Sequence, residues 1–124
     1  MTYSPDYLDF INLANSAHFR DALLSLEKVW FDDRSEFYAG LLQLMVALNQ
    51  LRIGMLPERT LRRAHERITP FAPQHKGLDV TYILHFIEQC QQLFPTEGES
   101  ALRCTLPVLR LELINEWMND KMEA

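Results

Sequence analysis

The stretch Phe37–Leu51, FYAGLLQLMVALNQL, constrains this chain more than any other. Its apolar residues run almost all the way round a helix instead of forming one stripe. A helix that is hydrophobic on every side has to be covered on every side. The segment therefore reads as the central rod of a small bundle, spanning about residues 35–53. The rest of the chain reads as its wrapping.

The wrapping is legible in order. Ser4-Pro5-Asp6 opens a helix with a capping hydroxyl, a proline at the first helical position and an acid in the first turn. Tyr7, Phe10, Ile11 and Ala14 give it a buried face, and it ends near Asn15-Ser16. A second helix runs from about His18 to Phe31 and buries Phe19, Ala22, Leu23, Leu26, Val29 and Trp30. After the turn Asp32–Ser35, either Asp33 or Ser35 caps the central helix, which stops near Gly54. Pro57 opens a fourth helix with Leu61, Ala64, Ile68 and Phe71 spaced by threes and fours. Pro70 and Pro73 stop it, Gln74–Gly77 is a loop, and a fifth helix runs from about Asp79 to Leu93 on Val80, Ile83, Leu84, Ile87 and Phe94.

The end of the chain is ambiguous. VLRLEL after Pro107 alternates like a strand, yet Leu111, Ile114, Trp117 and Met118 also fit one face of a helix. Length and the lack of a partner strand favour the helix. The expectation is an all-α single domain of five or six helices. Residues 1–94 form the bundle core, 95–106 a linker and 107–124 an amphipathic tail helix.

Composition bounds the function. At 124 residues the chain makes one domain with one core, and 48% hydrophobic residues is too many for a disordered chain. No apolar run approaches the roughly 20 residues of a membrane span, so no membrane partner is expected. The acidic N-terminus lacks the positive charge of a signal peptide, so a cytoplasmic protein is expected. Cys90 and Cys104 form neither a CxxC pair nor a disulfide framework. The net charge is −5, but Arg52–Lys76 holds six basic residues against Glu58 and Glu66, so this segment is +4 on a body of −9. An acidic body argues against general nucleic-acid binding.

Three groups of residues carry candidate chemistry. Glu27, Trp30, Tyr38 and Gln43 are the most interesting, with Glu27 taken as leaning inward and Gln43 as the lone polar residue inside the rod. They read either as a small polar ligand pocket between the second and third helices or, with more weight, as a hydrogen-bonded structural network. Arg59, Arg62, Arg63 and Arg67 concentrate positive charge on one helix face. Arginine forks suit phosphate or acidic partners, but the solvated-face reading weighs more, and no aromatics interleave for base stacking. The four histidines show no metal-ligand spacing; His85 and Glu88 stand one turn apart as a single weak pair. Cys90 falls on an apolar helix side with no base assigned to it, so it reads as a small hydrophobe, and Cys104 falls in the linker.

The run Leu13–Leu48 resembles a helical family catalogued as domain of unknown function 309. HFRDALLSLEKVW keeps that family's Phe19, Ala22, Leu26, Glu27 and Trp30 in register, and FYAGLLQLMVALNQL keeps Phe37, Tyr38, Gly40, Leu41, Gln43 and Ala47. The resemblance extends over about residues 7–72. Where the family pattern has His-Glu this chain has Leu23-Leu24, and the small-residue turn before the fourth helix is replaced by GMLPERT. Two leucines cannot do the polar or metal-binding chemistry that His-Glu would support. The resemblance implies a fold and little function, because the family is itself uncharacterised.

The expected function is accordingly a non-enzymatic interaction or scaffold module, with another protein or a second copy as partner. No catalytic residue, cofactor or metal is assigned. The alternatives are a ligand binder or enzyme using the Glu27–Gln43 pocket, and recognition of phosphate-rich ligands by the arginine face.

Overall fold

The computed structural model describes residues 3–92 and 107–114. It is an all-α bundle of five helices: α1 (Pro5–Asn15), α2 (Phe19–Asp32), α3 (Glu36–Arg52), α4 (Glu58–Ile68) and α5 (Val80–Gln92). The expected starts are built from the expected side chains. Ser4 Oγ accepts from Tyr7 N at 3.2 Å and Ser35 Oγ from Tyr38 N at 3.3 Å, each satisfying one free donor of a first turn. Gly54 takes φ 87° just past α3, and Met55 N reaches back to Gln50 O at 2.9 Å.

Helix α3 is central. It packs against α2 on one side and α4 on the other, with α1 against α2 and α5 against α4. Phe37, Leu41, Leu44, Met45 and Leu51 of α3 are completely buried with Phe10, Leu26, Leu61, Ile68, Ile83 and Ile87 from the other four helices. Each such side chain contributes roughly 1.5–3 kcal/mol by leaving water. Gly40 serves the seam with α4. A Cβ there would lie 2.7 Å from Ile68 Cγ1 and 3.1 Å from Arg67 Cβ, so glycine is what lets the two backbones come this close.

Between α4 and α5 the chain makes a 3-10 turn (Thr69–Phe71) and a hairpin, β1 (Gln74–His75) with β2 (Leu78–Asp79), where a loop was expected. Lys76 and Gly77 form its two-residue turn with φ 50° and 76°, the left-handed pair that matches the twist of short hairpins. Asp79 Oδ1 then accepts from Tyr82 N at 3.0 Å and starts α5.

The tail differs from expectation. Over residues 107–114 there is no helix but an extended strap, with Leu109 and Leu111 buried, Arg110 and Glu112 exposed, and Leu113 half-buried. Its backbone partners are not a strand. The Asn15 side-chain amide donates to Leu111 O at 2.8 Å and accepts from Leu111 N at 2.6 Å. Tyr82 Oη accepts from Arg110 N at 2.9 Å, and Ile114 N donates to Gly77 O at 2.7 Å. The two-residue leucine period was the true signal, and a side-chain amide supplies the missing strand edge. The expected linker 95–106, Phe94, Trp117 and Met118 lie outside the described residues.

Candidate functional site

The four residues expected to form a pocket do not converge. Helix α2 buries Ala22, Leu26 and Val29, and Glu27, one position after Leu26, is turned about 100° away and exposed. The same rotation puts Leu24 and Phe31 on the outside. Trp30 is half-buried at the flank, with the Arg34 guanidinium 4.4 Å above its ring. Tyr38 is buried elsewhere, its ring 5.9 Å from that of Tyr7 and edge-on to it. Gln43 is half-buried on α3, with its carbonyl oxygen enclosed. A polar pocket built on Glu27 is therefore not formed.

Tyr38 belongs to an aromatic cluster that closes one end of the bundle. Tyr7 Oη donates to Lys76 O at 2.7 Å and ties α1 to the hairpin turn. Phe37, Phe71 and His75 are in mutual contact, the His75 ring edge-on to Phe37 at 4.9 Å and tilted against Phe71 at 4.7 Å, with Phe37 5.3 Å from Phe71. Burial, then neighbouring phenols, raises Tyr7, and burial followed by the Asp33 charge raises Tyr38, so both phenols stay protonated. Burial among the aromatics and then the Lys76 charge lower His75, partly offset by Asp33. These are properties of a packed joint with no open reacting atom.

The remaining chemistry-bearing groups are scattered. Arg59, Arg62, Arg63 and Arg67 are all exposed, and Arg67 Nε meets Glu36 Oε2 at 3.4 Å in a surface pair worth little. His85 is exposed and does not pair with Glu88, whose Oε2 instead reaches His65 Nε2 across the α4–α5 seam at 2.8 Å. Thr69 Oγ1 donates to His65 O at 2.6 Å, closing the last turn of α4. Adjacent-turn spacing could not reveal a pair that forms between two helices. Cys90 is fully buried and its thiol is pushed up to about 12, leaving it neutral and shielded; Cys104 lies outside the described residues. Among the described residues no three His, Cys, Asp or Glu come together around a possible metal, and no helix is long and apolar enough to cross a membrane.

What does stand out lies on α3 itself. Among the described residues, an arc of about 120° on the rod is only half-covered: Ala39, Leu42, Gln43, Val46, Asn49 and Gln50. Gln43 and Gln50 stand seven residues apart, two turns along one face. The side-chain carbonyl oxygens of both are enclosed, with no hydrogen-bond partner among the described residues. Leaving such an acceptor unsatisfied costs about 1–3 kcal/mol. Sequence reasoning singled out Gln43 as an intruder in an apolar rod but missed Gln50, whose seven-residue spacing from it was the available signal. Comparisons with family models, curated proteins and solved structures return no match.

Proposed function

We propose that this chain is a non-enzymatic interaction module whose half-covered α3 face pairs with the same face of a second copy. The observation that carries the reading is the half-covered arc of α3, where Ala39, Leu42 and Val46 leave apolar surface beside Gln43, Asn49 and Gln50. A two-fold axis sets one patch against itself. Val46 lies midway along the arc, and an axis beside it packs the half-covered Ala39, Leu42 and Val46 surface against its copy. The exposed Ile53, Met55 and Leu56 at the α3–α4 turn lengthen the apolar margin.

The resemblance to the uncharacterised helical family belongs to the same proposal. Leu23 and Leu24 stand where that pattern is polar, with Leu23 half-buried and Leu24 exposed, which suits contact better than chemistry. A cytoplasmic setting fits a chain with a free buried thiol at Cys90.

Light scattering on a sizing column, run across a dilution series, tests the reading. The chain is expected to elute as a dimer that weakens on dilution, and Val46→Lys, which plants a charge on the axis, as a monomer of unchanged helicity. A wild-type chain that is monomeric throughout, or a Val46→Lys variant that dimerises equally well, overturns it.

A further inference from the structure

The strap is held as a bound peptide is held, and this is independent of the α3 face. Recognition of an extended chain combines backbone hydrogen bonds, which are indifferent to sequence, with pockets for alternate side chains, which are not. Both parts are present. The backbone of residues 108–114 is read by Asn15 at Leu111 through two bonds, by Tyr82 at Arg110 and by the hairpin carbonyl of Gly77 at Ile114. The selective part is Leu109 and Leu111, 4% and 3% exposed, while Val108, Arg110 and Glu112 point outward.

Two features separate this arrangement from an ordinary chain end packed on a core. Asn15 lies 96 residues from Leu111 and pairs with it as one residue of a β-strand pairs with its neighbour, so the groove presents a strand edge without a strand. Open space also remains beside the strap among the described residues. An open cleft of about 450 Å³ runs beside it, bounded by Leu78, Asp79 and Tyr82 on one wall and by Arg110–Ile114 on the other.

We infer that the groove between α1, the hairpin and α5 is a binding site for an extended Leu-x-Leu segment of another polypeptide, with residues 107–114 as the resident occupant that a partner segment displaces. Tethering gives the resident a high effective concentration, so a free segment competes poorly until the strap is loosened. Polar residues between and outside the two leucines are accepted, because those positions face solvent.

The test keeps the full chain. A protease site is placed between Gln92 and Pro107, the chain is cut, and a fluorescent peptide of sequence PVLRLELI is titrated into the nicked protein. Saturable uptake is expected, matched by release of the native tail fragment. A peptide with serine at both positions corresponding to Leu109 and Leu111 is expected not to bind. Asn15→Leu, which removes two hydrogen bonds of roughly 1 kcal/mol each, is expected to weaken uptake by about tenfold or more. In the uncut chain, Leu111→Asp is expected to vacate the groove and allow uptake without cutting. Equal binding of the serine peptide, no uptake by either protein, or loss of the helical circular-dichroism signal when the tail leaves would each overturn the inference, the last by making the strap a structural part of the core.

Discussion

Single residues separate what local spacing encodes from what it does not. Glu27 was legible and misread: its one-turn relation to Trp30 suggested an inward lean, whereas Leu26, Ala22 and Val29 fix the buried side of α2 and turn Glu27 to solvent. Gln43 was read correctly as an exception in an apolar helix, because one amide among leucines breaks a strong pattern. His75 had no signal at all, since its neighbours Phe37 and Phe71 come from other elements. Its lowered pKa carries a consequence for stability. The unfolded imidazole binds protons at its ordinary value of 6.5 and the folded one only at lower pH, so the unfolded chain takes up protons first on acidification. The corresponding stability is fully present above about pH 6.5 and is lost as the pH falls from there through the folded value. Urea midpoints of wild type and His75→Phe, measured between about pH 7 and pH 5, are expected to show a shallower acid loss in the variant. Parallel profiles would contradict this.

At the scale of elements, the five helices were legible because each is bounded by local chemistry: Ser4, Ser35 and Gly54 act within a few residues of where they sit. The strap was not. Its alternating leucines were visible, but they were weighed against a missing partner strand, and the partner is a side-chain amide at the far end of the chain. The hairpin was hidden for a milder reason, because a Lys-Gly turn signals reversal less strongly than Asn-Gly. The seam between α3 and α4 depends on Gly40, and here two effects compete. Alanine ordinarily favours a helix over glycine by up to about 1 kcal/mol. Against that, a methyl 2.7 Å from Ile68 Cγ1 overpacks a completely buried, β-branched side chain that cannot swing aside, at a cost of about 1–3 kcal/mol. Overpacking wins, and Gly40→Ala is expected to lower stability by about 1 kcal/mol in a denaturant titration. A stabilised variant would mean that the helices part easily.

For the molecule as a whole, the fold and the surface proposed for pairing come from the same apolar pattern. An apolar rod demands cover, and α2 and α4, with Tyr7 of α1 against Tyr38, supply it over most of its circumference. The half-covered arc carries Ala39, Leu42 and Val46 beside two glutamines, so the account turns on what meets that arc. Cysteine placed at the proposed axis gives the most direct test. In a Cys104→Ser background, with Cys90 buried and its thiol neutral, Val46→Cys puts a reactive sulfur beside the axis, and Asn12→Cys puts one on the remote α1 as a control. Under mild oxidation the account predicts a covalent dimer from Val46→Cys that forms far faster than from Asn12→Cys. Equal rates for the two, or no cross-linking through position 46, would contradict it.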